Sequence, residues 1–379
     1  MSRHMKISEL RTYVHPNANK HYVMIAIETD DGTVGFGEAT LDHRWPSVIA
    51  GVKEGFRAIA GQDPTTIEKH WATLKEQVFW GDGASSRAAL AAIDQALWDI
   101  TGKAYGLPVH KLLGGAVRDK VRVYLNQWWA GYKNTDDLIQ KAKAAIERGG
   151  RTLKWYPFGT PDNFQYRISA HDVRRAIAEV KAVRLALGPD TGLMVDIWRR
   201  LDWASAAEFC SGVADCNLLF VEEPTEYQSA DAFARLGTAT RARIAFGERL
   251  HSRKQFAEII EKQAVGLVQP SIIRVGGLTE AVKIGHAAEV YSIGVVPHNP
   301  HGPVAIAATV TLSAVLTNFV IQESYENDNP PTRKQFVKSG PEIEDDFYRV
   351  SDQPGLGIRI DEDALRPLCC DFTRTAAKS

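Results

Sequence analysis

Apolar and polar residues alternate along the first part of the chain and then change to a helical period. The alternation predicts strands over 7–14 and 21–29. A third strand is predicted over 33–38, after the turn signal DDG. From about residue 45 to residue 106 the apolar positions follow the period of amphipathic helices. Strands followed by helices predict an α+β unit at the start of the chain.

From residue 121 onward, a short apolar segment followed by a loop and an amphipathic segment recurs along the chain. The apolar segments are VRVYL (121–125), TLKWY (152–156), GLMVDI (192–197), LLFVEEP (218–224), RIAFGE (243–248), VGLVQP (265–270), GVVPH (294–298) and FVIQES (319–324). Eight strand–helix units predict an α/β fold of the β/α (TIM) barrel type.

Polar residues follow the ends of six successive predicted barrel strands. They recur every 23 to 27 residues, at Asp196, Glu222, Glu248, Ser271, His298 and Glu323. The carboxyl ends of barrel strands surround a single mouth, so we expect these side chains to converge there. Converging carboxylates repel one another unless a cation holds them, which indicates a metal site.

Length, composition and charge narrow the function classes. With 379 residues, 44% hydrophobic, 24% charged and a formal net charge of −1, the chain is typical of a globular protein of one large and one smaller domain. Near-neutral charge without a basic block argues against nucleic acid and anionic membranes as partners. No apolar run is long enough for a membrane span, and the first residues lack a signal-peptide core. The four cysteines have neither disulfide-framework nor zinc spacing, so we expect free thiols in the cytoplasm.

Hard oxygen ligands and a lysine define the predicted chemistry of the mouth. Asp196, Glu222 and Glu248 suit Mg²⁺, or Mn²⁺, better than Zn²⁺. Lys154 ends the preceding strand; it can hold a substrate carboxylate, act as a base, or extend to solvent. Glu323 either hydrogen-bonds the substrate or caps its strand.

His298 lies in the segment VVPHNPHGP (295–303), which contains three prolines and is too rigid to be a helix. A histidine beside proline can be merely a polar residue at a strand end. Across the mouth from a metal, however, it suits proton abstraction α to a carboxylate, with the metal neutralising the negative charge that forms.

Several motifs give the chain a resemblance to a known family. They are AAIDQALWDITGKAYGLPVHKLLGG, VD at Asp196, VEEPT at Glu222, FGERL at Glu248, VQPSIIRVGGLTEA, PHNPHGP and PGLGIRID. Over essentially its full length the chain resembles the enolase superfamily, in the mandelate racemase-like subgroup, and among its members the galactonate/gluconate-type sugar-acid dehydratases.

The resemblance implies a domain organisation and a set of site residues. It implies a modified TIM barrel over 119–330, an α+β capping domain over 1–118, and a C-terminal segment, 331–379, that returns to the cap. It also implies a homo-oligomer, because relatives usually assemble through cap and barrel surfaces. By the same resemblance Asp196, Glu222 and Glu248 are Mg²⁺ ligands, His298 is the general base, and Glu323 binds the substrate carboxylate or enediolate.

Ser271 is the first departure from the family pattern. Relatives carry an aspartate there, which orients the base histidine and stabilises its charged form, whereas Ser271 ends the motif QPS. A hydroxyl can orient a ring but stabilises imidazolium less, so we expect a lower pKa for His298 unless another carboxylate approaches. His301 either lines the substrate pocket or replaces the missing partner.

Two further departures concern the acid and the second base. Trp198 stands where many relatives have the histidine that expels hydroxide; it can still stack on a sugar. Racemases of the subgroup have KxK on the second barrel strand, and here the second lysine is Tyr156. This disfavours two-base racemisation with Lys154 and His298, and leaves Tyr156 either as an acid or as packing.

Three polar and aromatic segments are predicted to set substrate specificity from the cap. They are HPNANKH (15–21), which is predicted to be a polar loop between the first two strands, LDHRW (41–45), which includes Arg44, and NQWWAGY (126–132). Their mixture of groups suits a polyhydroxylated acid better than an apolar one, although each can equally be a solvated loop residue.

The leading hypothesis is a Mg²⁺-dependent lyase that dehydrates an acid sugar through α-proton abstraction and β-hydroxide loss. An epimerase, racemase or lactone cycloisomerase on the same scaffold is the first alternative. A catalytically impaired member that binds metal and ligand is the second, since the Ser271 substitution can also mark lost activity.

Overall fold

The computed structural model describes residues 5–17, 20–80, 83–159, 168–227, 229–325 and 333–377. The start of the chain and its last strand form an antiparallel sheet. Its strands are β1 (Ile7–Asn17), β2 (Lys20–Thr29), β3 (Val34–Glu38) and β16 (Asp371–Ala376). Their order in the sheet is β16-β1-β2-β3. Because β16 comes from the end of the chain and pairs with β1, the predicted return of the C-terminal tail to the cap is confirmed.

Helices cover one face of this sheet. They are α1 (Trp45–Ile59), α2 (Ile67–Thr73), a π-helical turn (Leu74–Val78), α3 (Ala84–Tyr105) and α4 (Val109–Leu112). Most of α3 is buried, because one side packs on β3 and another on α1 and on the barrel. The strands-then-helices pattern of the sequence therefore corresponds to an α+β cap.

The prediction of a polar loop over 15–21 is wrong for the residues that the structure describes. The β1–β2 ladder continues through His15 opposite Tyr22 and Pro16 opposite His21. His15 is buried and its ring lies against Phe336. The hydrogen-bonded ladder and the aromatic packing outweigh the preference of these polar residues for a loop. Residues 18–19 lie outside the described residues.

Eight parallel strands form the barrel, as the sequence predicts. They are β4 (Lys120–Asn126), β5 (Thr152–Trp155), β6 (Gly192–Asp196), β7 (Val221–Glu222), β8 (Ile244–Phe246), β9 (Leu267–Val268), β10 (Gly294–Val295) and β11 (Gln322–Tyr325). Neighbours pair in chain order and β11 pairs with β4. The ring closes between β10 and β11, where the backbone N–H of Val320 donates to the carbonyl of Val295 at 2.9 Å.

The interior of the barrel consists of an apolar layer below a polar one. The apolar layer contains Tyr124, Met194, Phe220, Leu267, Val296 and Ile321. Side chains along a strand alternate between its two faces, so the residue two positions further on also points inward. Those residues are Asn126, Asp196, Glu222, Gln269, His298 and Glu323, all of them buried. The polar ring is thus a consequence of strand register above a packed core.

Helices surround the barrel, and short elements follow it. The helices are α5 (Thr135–Glu147), α6 (Ala170–Leu187), α7 (Trp203–Gly212), α8 (Ala230–Ala239), α9 (Arg253–Glu261), α10 (Leu278–Val290) and α11 (Pro303–Val315). The later elements are β12 (Val337–Ser339), β13 (Ile343–Glu344), β14 (Phe347–Arg349), β15 (Arg359–Ile360) and α12 (Glu362–Leu365). Within the described ranges, every helix is too short or too polar to cross a bilayer.

Polar side chains of the cap bind the barrel beside the start of α10. The indole of Trp71 donates to the carbonyl of Gly276 at 2.8 Å, and that of Trp98 donates to the hydroxyl of Thr279 at 2.9 Å. Asp94, on α3, accepts from the backbone N–H of Thr279 at 3.1 Å. These contacts fix the cap on one side of the barrel.

Replacing Asp94 with asparagine is expected to change how stability depends on pH. Burial raises the pKa of Asp94 from 3.8 to about 7, although Thr279 counteracts the rise. Between these values the folded protein retains a proton that the unfolded chain has released, so stability falls as pH rises, by up to about 1.4 kcal/mol per pH unit. Urea unfolding from pH 4 to 8 should show a shallower fall for Asp94→Asn than for wild type. Parallel profiles would contradict this.

Candidate active site

Lys154 lies between Glu222 and Glu323 of the polar ring, and hydrogen-bond acceptors surround its ammonium group. Its Nζ lies 2.5 Å from Oε2 of Glu222 and 3.0 Å from Oε1 of Glu323, and it donates to the Tyr124 hydroxyl at 3.1 Å. Only 1% of the Lys154 side chain is exposed. Burial alone would lower its pKa, but the two carboxylates raise it well above the usual value. Lys154 is therefore a fixed cation and does not extend to solvent.

Glu323 is held from several sides at the end of β11. Its Oε1 accepts from the Asn126 side chain at 2.9 Å, and its Oε2 accepts from the backbone N–H of Asn299 at 3.0 Å. Burial raises its pKa, but Lys154 and His298 outweigh this and lower the pKa to about 2. The carboxylate is ionised and rigid, which suits a group that orients a ligand.

Asp196 and Glu222 end neighbouring strands in direct register. Burial, followed by repulsion from Glu248 and Glu223, raises the pKa of Asp196 to about 7, although Lys154 opposes this. Burial and then Asp196 raise the pKa of Glu222 well above its usual range. The Oε1 atom of Glu222 is buried without a hydrogen-bond partner among the described residues. Both carboxylates therefore lie where a further positive charge would be favourable.

Glu248, just beyond β8, is surrounded by cationic side chains. Its Oε2 lies 2.9 Å from Nε2 of His298. Its Oε1 lies 3.0 Å from the guanidinium of Arg274 and 3.2 Å from that of Arg249. Burial would raise its pKa, but His298 and Arg274 hold the pKa well below the usual value. Asp196, Glu222 and Glu248 are the three acidic strand ends, and Glu248 is thus the most strongly ionised of them.

His298 lies beyond β10 with both ring nitrogens buried. Its Nε2 faces Glu248, and a second carboxylate oxygen, on Glu323, lies 3.9 Å away. Its Nδ1 has no hydrogen-bond partner among the described residues. Burial lowers the pKa of His298, and Glu248 partly offsets this. The direction agrees with the expectation from the sequence, but burial, rather than Ser271, is its first cause.

Ser271 contacts the other histidine of the segment. Its hydroxyl lies 2.9 Å from Nε2 of His301, and both residues are buried. The His301 ring meets the ring of His298 edge to face, with centroids 5.5 Å apart. The sequence indicated that the Ser271 hydroxyl could orient the His298 ring. In the structure this hydroxyl is hydrogen-bonded to His301, and His301 packs against His298.

An aromatic wall borders the ring on the side of β5. The ring of Tyr156 lies 4.8 Å from that of Trp129 and 5.3 Å from that of Trp198. Trp198 has a backbone φ of 48°, and its backbone N–H donates to Oδ1 of Asp196 at 2.7 Å. Burial, followed by Asp196, raises the pKa of Tyr156 well above 10, so its phenol keeps its proton.

Two of the segments predicted to act from the cap do not place their side chains as expected. Residues 126–132 begin at the last residue of β4 and so belong to the mouth of the barrel, not to the cap. Arg44 precedes α1 and its side chain is exposed, outside the ring of buried groups. A sequence pattern gives the element that carries a residue but not the direction of a surface side chain.

Several residues in the site were missed by the sequence analysis. They are Tyr124, Glu223, Arg249 and Arg274. Asn126 belongs to the predicted specificity segment 126–132, but it lies at the end of the first barrel strand and not in the cap. Arg249 follows Glu248 directly and binds the buried Glu223 at 2.9 Å, whereas nothing in the sequence marks Arg274.

Family models account for most of the chain. Residues 3–114 match the mandelate racemase / muconate lactonizing enzyme N-terminal domain, and residues 137–364 match the enolase C-terminal domain-like family. The chain belongs to the enolase superfamily. The resemblance inferred from its motifs is therefore confirmed, and so is the capped, modified barrel.

Relatives of this enolase superfamily member are similar over nearly their whole length. A D-galactonate dehydratase of Variovorax paradoxus is 35% identical over 366 residues, 95% of this chain and 94% of the relative. A D-galactonate dehydratase of Xanthomonas oryzae pv. oryzae is 35% identical over 372 residues, 96% of this chain and 94% of that one.

Solved structures share the fold. A member of the enolase superfamily from Salmonella typhimurium superposes with a TM-score of 0.92 at 27% identity, covering 98% of this chain and 100% of that one. An enolase from Agrobacterium radiobacter, solved with Na and L-malate, gives a TM-score of 0.86 at 28% identity, covering 96% and 94%.

The acidic strand ends of this superfamily member fit a divalent cation in charge and donor type. Asp196, Glu222 and Glu248 offer hard oxygen donors, and the buried, unpartnered Oε1 of Glu222 is an available ligand. Among the described residues, no three such side chains are already gathered into a ligand set. A backbone N–H binds Asp196, whereas cationic side chains bind Glu222 and Glu248. A metal would therefore have to exchange for contacts such as that of Lys154 with Glu222.

Proposed function

We propose that the protein is a Mg²⁺-dependent dehydratase of an acid sugar. The observation that carries the proposal is the buried ring in which Lys154, His298 and Glu323 stand beside three acidic strand ends. Relatives named D-galactonate dehydratase support the choice of an acid sugar as substrate.

Asp196, Glu222 and Glu248 would hold Mg²⁺. When bound, the ion supplies positive charge beside the substrate carboxylate, which makes the α-hydrogen more acidic. Lys154 adds a second, fixed positive charge on the same side, because Glu222 and Glu323 hold its ammonium group within the ring. A substrate carboxylate would thus meet cations on an otherwise acidic surface.

His298 is the base in this proposal. Once its contact with Glu248 is released, Nε2 would take the α-proton. The C–H electron pair would delocalise into the substrate carboxylate, and the C–O bond at the β-carbon would then break. The hydroxide needs a proton to leave as water. Either His298 returns the proton it took, or a second group donates one.

In this proposal Tyr156 donates that proton. It follows Lys154 by two positions and so faces the interior, beside Asp196 and Trp198. Replacing Tyr156 with phenylalanine is expected to reduce dehydration by about 10²-fold, the usual loss for one general acid. Exchange of the α-hydrogen with deuterium should continue, because His298 is unchanged. Equal loss of exchange and dehydration would exclude Tyr156 as the acid.

The test of the proposed function is a screen of aldonic, aldaric and uronic acids, beginning with D-galactonate. With Mg²⁺, a substrate should yield a keto-deoxy acid, and chelation should stop the reaction. Deuterium incorporated at the α-carbon without dehydration would favour the epimerase or racemase alternative. Neither product nor exchange with any acid would favour a binding protein without catalysis.

A further inference from the structure

Six of the barrel helices, α5 to α8 and α10 and α11, begin in one of two ways. In α5, α6, α7 and α8 the side chain of the N-cap residue accepts a hydrogen bond from a backbone N–H of the first turn. These N-cap residues are Asn134, Ser169, Asp202 and Ser229. Helices α10 and α11 begin after Gly277 and Gly302, which have no side chain to do so. The first N–H groups of a buried helix need acceptors, so these two helices must obtain them elsewhere.

Glu38 of the cap supplies the acceptors for α11. Its Oε1 accepts from the backbone N–H of Gly302 at 2.5 Å, and its Oε2 accepts from Val304 at 3.1 Å and Ala305 at 3.0 Å. Pro303 has no N–H, so Glu38 binds each N–H group from residue 302 to residue 305. A carboxylate at this end also interacts favourably with the helix dipole.

The approach of Glu38 depends on glycine at position 302. A Cβ there would lie 2.6 Å from Oε1 and 2.8 Å from Oε2 of Glu38. Glu38 itself is fully buried, and Thr40 donates to its Oε1 at 2.6 Å. The side chain is therefore fixed from the cap side as well as from the barrel side.

The segment between β10 and α11 is held at three points. The N–H of Asn299 binds Glu323, the ring of His301 binds Ser271, and the N–H of Gly302 binds Glu38. The first two contacts come from the barrel itself, whereas the third is the cap's. His298 lies at the start of this segment, so its ring position depends on all three.

We propose that Glu38 is a positioning residue, through which the capping domain sets the start of α11 and thereby the placement of His298. Glu38 does not touch the reacting atoms. It acts through Gly302 and the rigid segment before it, and it makes the geometry of the base dependent on a docked cap. The kinetic consequence rests on the proposed function.

Asp94 provides a matched control. It is another buried cap carboxylate, and it accepts from the N–H of Thr279 in the first turn of α10, beside Gly277. Helix α10 follows Ser271 and not His298. The two carboxylates therefore make the same type of contact between cap and barrel, but only Glu38 binds the segment that carries the base.

Kinetics of Glu38→Ala and Asp94→Ala should separate the two roles. Both variants should melt at a lower temperature than wild type. Glu38→Ala should lower kcat by about 10²-fold with KM changed less than about 3-fold, as expected for a misplaced catalytic group. Asp94→Ala should leave kcat within about 3-fold. Equal kcat losses in both variants would overturn the proposal.

A second substitution tests whether Glu38 merely stabilises the helix. The φ of −82° and ψ of −173° at Gly302 suit a serine N-cap, and Glu38→Ala removes the group that a Cβ would meet. In the double variant Glu38→Ala/Gly302→Ser, Tm should recover while kcat stays low, because the tie to the cap is still missing. Recovery of kcat together with Tm would overturn the proposal.

Hydrogen–deuterium exchange of the backbone tests the contact without any substrate. Peptides covering 298–306 should exchange faster in Glu38→Ala, whereas in Asp94→Ala the increase should fall on 276–285. Unchanged exchange over 298–306 in Glu38→Ala would overturn the proposal. If wild type converts no acid sugar but this pattern appears, the proposed function fails and the Glu38 contact stands.

Discussion

Replacing His298 with asparagine is expected to reduce turnover by about 10²- to 10⁴-fold, the range for loss of a general base. The ring lies 2.9 Å from Glu248 and 3.9 Å from Glu323, inside the buried mouth. Asparagine keeps a polar group there but cannot take a proton. Exchange of the substrate α-hydrogen with deuterium should be lost, and Mg²⁺ binding, measured by calorimetry, should remain.

His301→Asn is the matched control, since it changes the other histidine of the same rigid segment. The ring of His301 binds Ser271 and helps to hold the segment, so its loss should lower kcat less than the loss of His298 does and should leave α-hydrogen exchange measurable. Retained α-hydrogen exchange in His298→Asn would show that His298 is not the base. Loss of exchange only in His301→Asn would transfer that role to His301.

Replacing Lys154 with methionine is expected to cost the metal-free protein about 3–5 kcal/mol of unfolding free energy, the range for breaking a buried ion pair. Lys154 has 1% of its side chain exposed and separates Glu222 from Glu323. Without it, two buried carboxylates face each other. Urea unfolding in chelator should show the loss, and Mg²⁺ should restore part of it because a cation returns to the ring.

The control for this prediction is Lys262→Met. Lys262 lies 2.6 Å from Asp231, but 41% and 63% of the two side chains are exposed, so water already screens the pair. The unfolding free energy of Lys262→Met should hardly differ from that of wild type, with or without Mg²⁺. If Lys154→Met were equally harmless, the ring would not depend on Lys154 for charge balance.

The barrel and its polar ring were predictable because both follow from the regular spacing of the apolar strands along the chain. Strand cores recur at regular intervals, and the residues at their ends all point to one mouth. The acidic strand ends and His298 could therefore be selected without coordinates. The segment 15–21 was wrongly predicted as a loop, because the ladder between β1 and β2 and the packing of His15 outweigh its polar composition.

Partners within the ring were much harder to predict. The sequence shows that an aspartate is replaced at Ser271, but not that Ser271 binds His301 or that Glu248 faces His298. Such pairings depend on side-chain direction at distances of about 3 Å, which spacing along the chain does not define. The roles of these residues in catalysis stay predictions.

The sequence by itself determined the fold class and which strand-end residues point to the mouth, because periodicity and strand-end position are local properties that the chain carries along its length. Its motifs also indicated the family, by resemblance. Only the tertiary structure decided which charges neutralise one another and that Glu38, 264 residues before Gly302, binds the start of α11. The physical reason is that hydrogen bonds and ion pairs depend on distances of a few ångströms between groups far apart in sequence, and packing alone sets those distances.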